Sequence, residues 1–172
     1  MTGSGDPSVS WIERLDAVMA RLQALAGQAS GSADARTQPD PQTGERWEEG
    51  QVWSHMAEFV PYWLARCERI AQDGRERPVP FGRGTDDPER VAGIQLGREV
   101  PIRDLFSQVR AGAAQVRTWL EALPPEAWES RGEHPTAGVT SLDRVVDGFL
   151  IGHLEEHAEQ LDALAGRQPH RK

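Results

Sequence analysis

Four stretches of this chain set apolar side chains at steps of three and four residues, and no stretch of useful length alternates with period two. That pattern restricts the fold to packed helices. From about Ser10 to Ala29, the residues Ile12, Leu15, Val18, Leu22 and Leu25 share one helical face. Ser10 followed by Glu13 fits an S-x-x-E capping box, in which hydroxyl and carboxylate satisfy free backbone donors at a helix start. A second helix is expected from about Trp47 to Gln72, with Val52, Met56, Phe59, Trp63, Cys67 and Ile70 along its stripe and Glu58, Arg66 and Arg69 on its wet side. A third, from about Pro101 to Leu123, turns Ile102, Leu105, Val109, Val116, Leu120 and Leu123 inward. Pro101 sits where its missing amide donor costs nothing, and Pro124 and Pro125 stop the helix. The fourth starts at Thr140 or Ser141, either of which suits a cap, and runs to Ala165 before Gly166 ends it.

The connections carry their own information. Ser30 to Glu45 is rich in Gly, Ser, Pro and Asp and reads as a loop. Asp73 to about Val100 is punctuated by Pro78, Pro80, Gly82, Gly84 and Pro88, with room for a short helical piece around Glu89 to Leu96. Extended chain covers about 3.3 Å per residue against about 1.5 Å in a helix, so this connection can run the length of a bundle and let the next helix start at the far end. The expected fold is therefore all-α, a four-helix bundle with a long crossover between helices two and three. A chain of 172 residues is the size of one domain, spanning 1–172 with flexible termini at about 1–9 and 166–172.

Charge narrows the partners. With 19 Lys plus Arg against 27 Asp plus Glu, the net charge of -8 repels nucleic-acid backbones and anionic membranes. No run approaches the roughly 20 apolar residues of a membrane span, and the first residues lack the pattern of a secretion signal. The single cysteine, Cys67, cannot form an intrachain disulfide, which fits a reducing cytoplasm. A small-molecule substrate is the partner expected instead.

The fourth helix carries the chemistry. Its stripe runs Leu142, Val145, Val146, Phe149, His153, His157, Leu161 and Leu164, so two imidazoles one turn apart stand where apolar residues belong. His55 lies one turn before Phe59 and two before Trp63, which directs it toward the same interior. Three imidazoles would bind zinc, nickel, copper or ferrous iron and leave coordination positions open, whereas a structural zinc site normally closes its shell with four protein ligands. The plainer reading of a histidine pair at i, i+4 is a partly exposed face or satisfied core polarity. Trp53 and Trp63 are expected to wall the site, and Cys67 to be a small buried hydrophobe rather than a nucleophile. His134, in a loop, and His170, in the tail, are expected to be solvated. Glu155, Glu156 and Glu159 read as a solvated face, with Glu156 the only catalytic candidate, for orienting a histidine or moving a proton.

Two motifs resemble those of a known family. The segment WEEGQVWSHMAE, residues 47–58, resembles the helix-two signature of DinB-like (DinB/YfiT) proteins, and GHLEEHAEQL, residues 152–161, their last-helix signature. The order of the motifs, their separation and the long crossover agree, and the likeness covers about Ser10 to Ala165. The resemblance implies an up-down-down-up bundle, one divalent metal, zinc or nickel, on His55, His153 and His157, and homodimerisation. It further implies a transferase or isomerase that activates a low-molecular-weight thiol such as bacillithiol or mycothiol. A metal-dependent hydrolase, or a noncatalytic bundle that binds a small ligand or a partner helix, are the alternatives.

Overall fold

A computed structural model describes residues 7–28, 35–41 and 43–166. Four long helical stretches form the body, as the periodicity predicts: α1 (Pro7–Ala26), α2 (Glu49–Asp73), α4 (Ile102–Ala122) and a last stretch built from α5 (Leu142–Val145), a π-helical segment (Val146–Ile151) and α6 (Gly152–Leu164). The short helix α3 (Pro88–Leu96) lies in the crossover at the expected place, with Asp87 as its cap accepting from the Arg90 amide. Among the described residues, no helix is long and apolar enough to cross a membrane.

The side chains that meet give the direction of each helix. Trp53 packs on Phe106 and Val60 lies beside Gly112, so α2 and α4 run parallel. Trp11 donates to Asp143, Arg14 binds Asp147 and Glu155, and Arg21 binds Asp162, so α1 runs parallel to the last stretch. His55 meets His157 while Trp63 meets Phe149, so α2 and the last stretch are antiparallel. The result is an up-down-down-up four-helix bundle, and the crossover is what returns the chain for two successive parallel helices. The ion pairs of α1 are partly exposed and worth about 0–1 kcal/mol each, so they set register more than stability. Stability comes from a continuous apolar core that includes Leu15, Leu22, Trp53, Phe59, Val109, Leu120, Leu150 and Leu154.

At the crossover, α3 closes against the start of α2 through Gly50 and Gly97, whose backbones approach so closely that a Cβ on either would overlap the other's carbonyl oxygen. Only glycine lets these two segments touch. The crossover also contributes β1 (Val79–Pro80), which pairs in parallel with β2 (Arg131–His134), itself antiparallel to β3 (Gly138–Ser141). The apolar pattern predicts no strand here. Strands of two to four residues, with glycines at Gly132 and Gly138 and few apolar side chains, lack the alternation that would betray them.

Three further expectations are corrected. Helix α1 begins at Pro7, so Ser10 lies inside its first turns rather than capping it, and residues 7–9 are helical rather than part of a loose terminus. The rest of those termini, 1–6 and 167–172, and with them His170, lie outside the described residues, as does part of the loop from Ser30 to Glu45. His134 is not a solvated loop residue: it belongs to β2, is half-buried, and packs on Phe81 and Phe149. Finally, the last helix does not keep a single 3.6-residue phase. The π-helical segment fits an extra residue into its turns and rotates the downstream residues by about 100° relative to an unbroken α-helix. Leu150, Ile151, Leu154 and Ala158 are therefore fully buried, while Phe149 and His153 sit at the margin.

Candidate metal centre

His55 comes from the second turn of α2, and His153 and His157 from the first turns of α6, just past the π-helical segment. The antiparallel pairing of these stretches brings the three rings together. His153 Nε2 lies 3.3 Å from His55 Nε2 and 3.0 Å from His157 Nε2. One nitrogen from each ring falls within 4.8 Å of the other two, so the group could hold a metal ion. Zinc bound tetrahedrally at about 2.0–2.1 Å from each imidazole sets its nitrogen ligands about 3.4 Å apart, close to the spacing seen. The sequence-predicted trio does converge.

The outer faces of the rings explain which nitrogen is free. His157 Nδ1 lies 2.8 Å from Gln160 Oε1, an acceptor, so Nδ1 carries the proton and the Nε2 lone pair faces the other rings. His153 Nδ1 lies 3.5 Å from Glu156 Oε2. Glu156 is largely exposed, which suits it for steadying His153 and keeps it outside the cluster. His55 Nδ1 is buried without a hydrogen-bond partner among the described residues, and Glu58 Oε2 stands 4.0 Å away. Each histidine thus has a Glu or Gln three residues on, the spacing that places two side chains on one helix face. That His-x-x-Glu/Gln recurrence is visible in the sequence, but its significance appears only once the rings are seen to converge.

Burial governs the charge of the cluster. Desolvation, followed by the neighbouring histidines, holds His55 well below its ordinary pKa of 6.5, and desolvation followed by His153 lowers His157 to about 3. Both rings are neutral near pH 7, the form that binds metal. In metal-free protein the unfolded chain takes up protons on these rings below about pH 6.5, while the folded chain resists until about pH 3 for His157. Their contribution is therefore complete above about pH 6.5 and is lost as pH falls toward about 3. Urea midpoints of metal-free protein should drop between about pH 7.5 and about pH 5, and more steeply than those of His157→Gln; parallel pH curves for the two proteins would contradict this origin of the pH dependence.

The walls differ from those expected. Trp47, just ahead of α2, faces His55 at 5.0 Å and stacks on His157 at 6.0 Å between ring centres. Phe59 forms the floor, 4.6 Å from His153 and 5.1 Å from His55. Trp53 lies two residues before His55, on another side of α2, and is buried against α4, while Trp63 packs on Phe81 and Phe149 further along. Trp47 is fixed by Thr37, whose Oγ1 accepts from the Trp47 amide at 2.9 Å and whose own amide donates to the Trp47 carbonyl. Arg90 approaches the outer face of Trp47. Cys67 is fully buried, burial pushes its thiol pKa well up, and it takes no part in the cluster. Glu155 is bound to Arg14 instead of lying free on a solvated face, and Glu159 is exposed as expected.

A four-helix bundle whose second and last helices bring three histidines together defines a recognisable class, and residues 14–161 match the DinB superfamily. The chain belongs to that family. Among solved structures it is similar to YfiT from Bacillus subtilis, described as a probable metal-dependent hydrolase with an unusual four-helix bundle topology. The two share 17% sequence identity over 97% of this chain and 92% of that one, with a TM-score of 0.70, a likeness of fold. No curated protein matches the sequence.

Proposed function

We propose that this protein is a metal-dependent enzyme in which His55, His153 and His157 hold one divalent ion, zinc or nickel, and in which a low-molecular-weight thiol is activated for transfer to a small electrophile. The observation that carries this reading is the convergence of three imidazole nitrogens, two of them on rings kept neutral by burial, with three ligands leaving room for a further one. Such an ion, when bound, lowers the pKa of a coordinated thiol or water. The chain's own residues do the rest. Phe59 and Trp47 exclude water around the rings, and the partly exposed His153 marks the side from which a small molecule enters.

The choice of thiol over water rests on the carboxylates. Glu58 is held by Arg83 at 2.5 Å, and Glu156 points largely to solvent, so neither nearby carboxylate stands free inside the cluster as a base for water. A thiol, with an ordinary pKa of about 8.5 against about 15.7 for water, needs less help to ionise. Hydrolysis is the second reading, favoured by the fold shared with YfiT. Elemental analysis of protein purified without tag or chelator should give about one metal per chain. Conjugation of an electrophile with a thiol should stop on chelation and return with metal. Turnover that survives chelation would remove the metal from the reaction, and product formed without thiol would move the assignment to a hydrolase.

A further inference from the structure

The three histidines are not equally supported. His157 Nδ1 has Gln160 at 2.8 Å and His153 Nδ1 has Glu156 at 3.5 Å, whereas His55 Nδ1 is buried with no hydrogen bond among the described residues. The acceptor beside it, Glu58 Oε2, stands 4.0 Å away, and the same oxygen is bound by an arginine of the crossover. Arg83 binds Glu58 Oε2 at 2.5 Å and reaches Asp87 at 3.5 Å, and its guanidinium lies 3.8 Å over the Tyr62 ring. Helix α3 closes the remaining side: a Cβ at Gly93 would press on Glu58 Cγ, and the Gly93 carbonyl is pinned by the Ser54 hydroxyl at 2.5 Å. The groups that confine Glu58 from outside α2 thus come from the segment between Phe81 and Leu96.

We infer that Glu58 is the positioning residue for His55, moving in from 4.0 Å to accept its Nδ1–H, and that the crossover, through Arg83 and Gly93, sets how Glu58 is presented and so how tightly the cluster grips a metal. The inference rests on the metal reading above. A buried Nδ1–H left without an acceptor is costly, and an imidazole whose proton is not fixed on Nδ1 presents its Nε2 lone pair only part of the time. Glu58 supplies the fixed tautomer. Arg83 holds the carboxylate in place, and the space over Gly93 keeps its stem from being pushed away.

The test uses the full chain and zinc alone. In metal-free protein, nitrogen-15 shifts of the ring should show His55 with its proton on Nδ1, and this preference should weaken in Glu58→Ala. Zinc competition against a chromophoric chelator should show Glu58→Ala binding about 10–100-fold more weakly than wild type. Glu58→Gln keeps an oxygen acceptor and should recover much of that loss, while Gly93→Ala and Arg83→Met, which only displace or release the carboxylate, should fall between. If Glu58→Ala fails to fold, these three variants decide the matter. Wild-type zinc affinity retained within about twofold across the folded variants, with an unchanged His55 tautomer, would overturn the positioning role while leaving the three-histidine site intact. Wild type that binds no zinc would instead remove the metal reading itself.

Discussion

Alanine in place of His157 is expected to leave a folded protein that no longer holds metal. The imidazole lies at the inner end of the cluster, 4% exposed, stacked on Trp47 and tied to Gln160, so no water or neighbouring side chain takes over its nitrogen. Losing an outer partner of a metal ligand typically costs about 10–100-fold in affinity, and losing the ligand itself should cost more. Metal content should fall from about one per chain to near zero after dialysis, with turnover falling at least about a hundredfold. Because the ring is an uncharged buried polar group in the metal-free state, removing it should alter metal-free stability far less than it alters metal content. His134→Ala provides the control: that ring packs on Phe81 and Phe149, away from the cluster, and its loss should leave metal content unchanged. Full metal content in His157→Ala would refute the three-histidine centre.

The second large effect concerns Phe59. Its ring is fully buried and lies against His55, His153 and His157 at once, so it is both core and floor of the site. Phe59→Ala should destabilise the metal-free fold by about 3–5 kcal/mol, the usual range for removing a buried aromatic ring. At roughly 2–4 °C per kcal/mol for a chain of this size, the melting temperature should drop by about 6–20 °C. Phe59→Leu keeps most of the volume and should lose much less. A drop below about 1 kcal/mol for the alanine variant would mean that the core closes over the gap, and the ring would no longer count as a support for the histidines.

The fold is readable from apolar spacing because each helix buries one stripe, and α2 and α4 keep a single phase along their whole length. Val52, Met56, Phe59, Cys67 and Ile70 are all buried as the period requires. The last helix is legible in part: Leu142, Val145, Val146, His157 and Leu161 are buried as its stripe requires, while Phe149, His153 and Leu164 sit at the margin. Beyond Val146 the phase slips within the π-helical segment, a feature of backbone hydrogen bonding with no apolar signature of its own. His153 and His157 nevertheless stand out in the sequence, because a spacing of four residues survives any rotation upstream. Their walls do not, since Trp47 precedes its helix and is placed by a loop contact with Thr37 that no period encodes. Glu58 reads as a wet-side residue of α2 for a similar reason. A charged residue is exposed by default, and what turns it inward is Arg83, 25 residues away on the crossover.

The distance along the chain between His55 and His153 bears on when the cluster can exist at all. They are separated by 98 positions, and the stretch carrying His153 must dock beside α1, at the opposite end of the sequence. A ribosome adding roughly 5–20 residues per second needs about 5–20 s to bridge that interval. Throughout it, the first imidazole is outside its eventual pocket, with neither companion yet synthesised. Capture of a cation by all three rings would accordingly wait until the last helix has been made, governed by the ions met then rather than by those met while α2 is synthesised.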